Sequence, residues 1–253
     1  MNAGQAEAQF WAAFLRNRNV DAGTADDGAV PIAGGYAVYV KGTFYQLAFG
    51  LGTARPLRSD DLDIAREFYA RRGARPVLEI EDELYLRDRA VLEAGGFESA
   101  PPALARYEAA MIPETGASNG VVARAVQDRA AWVRLVSRAF ADGGAADEAS
   151  RRSHEISAAA AHGLFVAEVG GFPAGAGAVA VFNGIAFLYA GAVLPEFRGR
   201  GVHGALLRAR TAFGISRGAA RTTIKTAEGS PAERAILRAG FARGALVRRL
   251  HET

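Results

Sequence analysis

The segment PEFRGRGVHGALL, residues 195–207, sets Arg198 and Arg200 among Gly199, Gly201 and Gly204 and then runs into an apolar stretch. Glycine lets a backbone turn sharply and approach a ligand closely, and arginine presents a planar fork of donors to carboxylates and phosphates. Between a strand and a helix, such a loop is an anion site. The first amides of a helix have no partner inside it, and the dipole places roughly half a positive charge there. Here the strand is IAFLYAGAVL, and the helix carries an apolar stripe at Val202, Leu206, Ala209 and Phe213. This arrangement suits a pyrophosphate.

Read literally, Gly199-Arg-Gly201-Val-His-Gly204 is also the dinucleotide fingerprint G-x-G-x-x-G. Two features argue against that meaning. A Rossmann turn places its first glycine almost directly after the strand, whereas Pro195-Glu196-Phe197-Arg198 intervene here. The acidic ribose ligand expected about 20 residues later should end the next strand, which reads RTTIKT. A phosphate loop of the Gly-Lys-Ser/Thr type is absent.

Thirty Lys and Arg against 27 Asp and Glu give a net charge of +3, interspersed and without an aromatic-interleaved basic stripe, so nucleic acid is not an expected partner. The absence of cysteine excludes disulfides, thiolate metal sites and an acyl-cysteine intermediate. His154, His162, His203 and His251 lack metal-ligand spacing, so no metal site is expected. Residues 170–195 carry no charge and are long enough to span a bilayer, yet Asn183-Gly184 at their centre, flanked by VAVF and IAFLY, predicts a hairpin of two strands. With no basic start or long apolar core at the N-terminus, a cytoplasmic location without membrane contact is expected. The sequence is compatible with a homodimer but contains nothing that argues for one.

Helical and strand-like patterns alternate, which predicts an α/β (α+β) chain. PETGASNG, residues 113–120, is polar and turn-rich and divides it into domains at 1–112 and 121–253. RGARPVLEI from Arg72 resembles RGAARTTIK from Arg217, and AVLEAGGF from Ala90 resembles AILRAGF from Ala235. The offsets agree (217 − 72 = 145; 235 − 90 = 145), which suggests duplication. The first half has no counterpart of the 195–207 loop; LGTARPLRSDD stands in its place.

Val193-x-Pro195-x-x-Arg198-Gly199-x-Gly201, followed by V-x-x-A-L-L, resembles motif A of the GNAT superfamily of acyl-CoA N-acyltransferases. The resemblance covers residues 120–253, and the first half looks like the degenerate GNAT-like domain of tandem members. It implies two mixed, mainly antiparallel sheets flanked by helices, with acetyl-CoA as cosubstrate and an amine as acceptor. The pyrophosphate would lie on Arg198, Gly199, Arg200, Gly201, Val202, His203 and Gly204, and the pantetheine along Gly191, Ala192 and Val193. His203 occupies a position where the family pattern has a small residue, and Ile236 stands where many members carry a general-acid tyrosine. For the chemistry, Glu228 just past RTTIKT is the candidate base, with Glu168 as second choice. Tyr189, which by strand alternation shares a face with Gly191 and Val193, is the candidate acid.

Overall fold

The computed structural model describes residues 2–22, 27–110 and 120–253. They form two compact units, one of residues Met1–Ala105 with Ala245–Thr253, the other of Arg106–Gly244. The expected linker at 113–120 lies outside the described residues except for Gly120.

The second unit contains β6 (Val121–Val126), α4 (Arg129–Phe140), α5 (Glu148–Ala160), β7 (Gly163–Val169), β8 (Phe172–Phe182), β9 (Ile185–Val193), α6 (Val202–Ser216), β10 (Arg221–Ala227) and α7 (Pro231–Arg238). Three of its helices begin where a side chain accepts an otherwise orphaned amide: Asp128 from Ala131, Asp147 from Ser150 and Ser230 from Glu233. Strand order is β10-β9-β8-β7-β6, antiparallel except for the parallel pair β9–β10. The uncharged 170–195 segment is the expected hairpin: Phe182 pairs with Ile185, and Asn183 and Gly184 both adopt positive φ (49° and 72°), as a type I′ turn requires. Among the described residues no helix is long and apolar enough to cross a membrane. Trp132, Val136 and Ala139 of α4 pack on Leu164, Val166, Ala176, Ala178 and Ala192 of the sheet, and the Trp132 indole N–H donates to Phe165 O at 3.2 Å.

The first unit comprises α1 (Ala3–Ala22), β1 (Gly28–Ile32), β2 (Gly35–Tyr39), β3 (Gln46–Phe49), α2 (Ser59–Ala70), β4 (Val77–Glu81), α3 (Asp82–Ala94) and the start of β5 (Phe97–Ala109). Its sheet runs β1-β2-β3-β4 and is completed by β11 (Ala242–Glu252), which pairs antiparallel with β4 from Val247↔Glu81 to His251↔Val77. β3 and β4 are parallel, like β9 and β10. The duplication is therefore legible in the element order, and the two final strands start at the same offset (242 − 97 = 145).

The expected domain limits and the compact units differ at both boundaries: residues 106–110, placed by sequence in the first domain, belong to the second unit. Residues 245–253, placed by sequence in the second domain, pack in the first unit, where Val247 and Leu250 are buried. Arg248 pairs there with Asp82, and Arg249 with Glu79. Strands β1, β5 and β11 are weakly marked in the sequence. Pro31 sits in β1, Pro101 and Pro102 in β5, and β11 carries three arginines, so their apolar alternation is masked.

Candidate functional site

The parallel pairing of β9 with β10 runs from Ile185↔Arg221 to Leu188↔Ile224 and ends there, while β9 continues to Val193. Among the described residues, β9 beyond Leu188 has a partner only on its β8 side. Leu194 N–H donates to Ala174 O at 2.9 Å, so strand alternation turns the Val193 amide to the open edge.

The chain then passes a 3₁₀ turn (Pro195–Phe197) and enters α6. Gly199 and Gly201 hold φ of 76° and 83°, and a Cβ at either would meet nothing within 4 Å. They supply conformational freedom rather than packing space. Within the helix, Ala205 N–H is the first to find a partner, Gly201 O at 3.0 Å. No side chain caps the N-terminus, in contrast to α4, α5 and α7. The amides of Val202, His203 and Gly204 thus head a helix with an uncompensated positive end.

These elements line a cleft of about 1180 Å³. Its walls include Gly191 to Val193, the whole 197–204 segment, the C-terminal end of α4, the N-cap Ser230 and the α7 residues Pro231 and Ala235. Five arginines line it: Arg198, Arg200, Arg208, Arg234 and Arg238. The lining carboxylate is Asp142, which pairs with Arg198 at 2.5 Å. Arg200 lies over the Phe197 ring. Such a lining favours a polyanion. Every residue expected in the cofactor loop lies on it. The three arginines from α6 and α7 were not anticipated, although Arg234 and Arg238 stand one helical turn apart in the sequence.

His203 also lines the cleft, with its Nε2 buried and without a protein partner. Burial, and then the charge of Arg210, push it down to about 4, so its ring is neutral at pH 7. Arg210 itself is fully buried on α6, although arginine is ordinarily exposed. Its Nε donates to Leu206 O at 3.0 Å and its Nη1 to Ala178 O and Tyr189 O, both at 3.2 Å. Burial lowers its pKa to about 10. The available signal was the pair Gly177 and Gly191, whose missing side chains leave the room it fills: a Cβ at Gly177 would stand 2.7 Å from its Cζ.

Glu228, Tyr189 and Glu168 stand apart from the lining. Glu228 is ion-paired with Arg243, and Glu168 with Arg124 at 2.6 Å. The Tyr189 hydroxyl donates to Ser157 O at 3.2 Å. Simple alternation would put Tyr189 and Gly191 on one strand face; they lie on opposite faces because β9 bulges between them. Tyr189 and Ala190 pack with the α4 cluster, whereas Gly191 faces Arg210. Ile236, in the tyrosine position, is fully buried.

In the first unit the matching strand–loop–helix is closed. The Asp61 carboxylate, 3% exposed, accepts from Arg58 N at 2.9 Å and from both Arg55 terminal nitrogens at 2.6 and 2.7 Å. Asp88 accepts from Leu57 N at 3.1 Å and from Arg87. Carboxylates of the chain itself thus occupy the amides of Leu57 and Arg58, which lead into α2.

Residues 130–241 match the model of the acetyltransferase (GNAT) family. Among curated proteins, none matches the chain by sequence. Solved structures share its fold. A GCN5-related N-acetyltransferase from Kribbella flavida superposes over 100% of this chain and 96% of its own, with TM-score 0.66 and 17% identity. One from Sphaerobacter thermophilus does so over 81% of this chain and 70% of its own (TM-score 0.57, 17% identity). A protein described as a tandem GNAT protein from the clavulanic acid biosynthesis pathway covers 79% of this chain and 69% of its own (TM-score 0.52, 17% identity).

Proposed function

Since the chain carries a GNAT domain over residues 130–241, we propose that it moves an acetyl or other acyl group from acyl-CoA to a primary amine by direct attack. The observation that carries this reading is the cleft, where an uncapped helix start, two positive-φ glycines and five arginines converge beside the open edge of β9. In this reading the amides of residues 199–204 hold the pyrophosphate, with Arg198 and Arg200 alongside. The edge at Gly191, Ala192 and Val193 pairs with the pantetheine, and the Val193 N–H polarises the thioester carbonyl. Charge-assisted bonds of this kind contribute about 1.5–3 kcal/mol each, so a few backbone donors suffice. The amine attacks the carbonyl carbon, the C–S bond breaks, and a proton passes from the ammonium to the leaving thiolate. With no cysteine in the chain, no thioester forms on the protein. We place the reaction in the cytoplasm, with acyl-CoA and a small-molecule or protein amine as partners.

A second reading, acyl-CoA binding without turnover, draws on the lining itself. Its carboxylate, Asp142, is engaged by Arg198, and Ile236 replaces the acid found in many relatives. Thermal shifts with acetyl-CoA, CoA and NAD side by side, joined to CoA release scored by a thiol reagent, separate these. Stabilisation by CoA with release upon addition of an amine supports transfer; stabilisation without release over a wide amine panel supports binding alone. Stabilisation by NAD and none by CoA overturns both.

A further inference from the structure

Ladder pairing between β8 and β9 holds at Ala178↔Tyr189 and again at Ala176↔Ala192, so Gly177 alone faces Ala190 and Gly191. Ala190 carries the extra length at φ 48°, a left-handed backbone that strains a side-chain-bearing residue. The carbonyls of Ala178 and Tyr189 beside this bulge turn to one guanidinium nitrogen, Nη1 of Arg210. Its Nη2 has no protein partner and lies against Gly191, where a Cβ would stand 3.1 Å away. No carboxylate shares an ion pair or hydrogen bond with Arg210 among the described residues. A buried, unpaired cation is costly, and an apolar side chain would fill the same space without that cost. The guanidinium is therefore best accounted for by what it holds.

We propose that Arg210 is a positioning residue for acyl transfer, which locks the β9 bulge by bridging the carbonyls of Ala178 and Tyr189. The lock fixes the register of the strand beyond it, so that the Val193 amide meets the thioester carbonyl at a set distance. The inference rests on the acyltransferase reading of the cleft. Arg210 acts through the strand and touches neither reactant.

The test compares Arg210→Met, Arg210→Lys and the double variant Arg210→Met/Ala190→Gly. The expected Met phenotype is CoA release slowed about 10- to 100-fold, as for misplaced catalytic groups, with the acetyl-CoA KM nearly unchanged. Amide exchange over 189–193 should quicken in parallel. Glycine adopts positive φ without strain, so Ala190→Gly should restore part of both the rate and the protection. Loss without rescue by glycine, in a folded protein, refutes the lock and points to the charge alone. Unchanged rate and exchange in Arg210→Met also refute it. Should the Met variant fail to fold, Arg210→Lys decides: its ammonium reaches the carbonyls without spanning to Gly191, and partial protection is expected, while wild-type behaviour overturns the proposal. A wild-type protein that binds no CoA defeats the acyltransferase reading separately, and the exchange measurement still decides whether Arg210 holds the bulge.

Discussion

Gly201→Ala and Gly218→Ala form a matched pair. Both glycines have the same left-handed backbone (φ 83° and 84°), and a Cβ at either would find nothing within 4 Å. Only Gly201 lines the cleft, as N-cap of α6; Gly218 follows that helix at its other end. Alanine costs about 1–2 kcal/mol in this region. A loss of that size lowers the melting temperature by about 2–8 °C in a domain of 150–250 residues. For Gly218→Ala the whole effect should appear as stability, with CoA affinity unchanged. For Gly201→Ala, any relaxation of the loop away from positive φ must be reversed when the ligand binds. The same energy then appears as a Kd weakened about 5- to 30-fold. A methyl group turned toward the phosphates adds to it. Titration calorimetry with CoA, alongside melting curves, reads both quantities. Equal CoA affinity in the two variants would refute the assignment of the pyrophosphate to the start of α6.

Asp142→Asn should release Arg198 from an exposed ion pair worth at most about 1 kcal/mol, tightening CoA binding by up to about fivefold in calorimetry; weaker binding would argue that Arg198 does not face the phosphates. Leu250→Ala, in the last strand, should cost about 2–5 kcal/mol, with amide exchange quickening in β4 and α2 of the first unit rather than in β9. Burial depresses His154, beside Phe140 and Ser137, from 6.5 to about 4, and His203 shifts the same way. Below pH 6.5 the denatured chain binds these protons and the native one does not. The stability is thus complete above 6.5 and lost as pH falls toward 4. Melting temperature should drop between pH 7 and 5, and by less in His154→Gln.

The cofactor loop was legible because its chemistry is local: glycines with positive φ, arginines and a helix start stand within ten residues. The hairpin at Asn183-Gly184 was legible for the same reason. Long-range geometry was not. The bulge at Ala190 reverses which face Tyr189 shares with Gly191, and nothing in YAGAV records that reversal except one glycine. Arg210 stands four residues after Leu206 and eight after Val202 on the buried face of α6, yet its charge suggests solvent. Only Gly177 and Gly191, distant in sequence, show that there is room for it. The destination of β11 was equally hidden. Its partner β4 lies more than 160 residues away, and register between such strands is set by packing rather than by any local signal.

That last strand has a temporal meaning. A nascent chain that has emerged through Ala105 holds every other part of the first unit but not Val247, Leu250 or the Arg249 partner of buried Glu79. Translation must add 139 further residues (244 − 105 = 139) before residues 245–253 arrive. At about 5–20 residues per second this is a wait of about 7–28 s. During it, β4 has an open edge able to pair with another chain. The first half is made first and finished last, so its escape from aggregation on the ribosome depends on how fast the second half is synthesised.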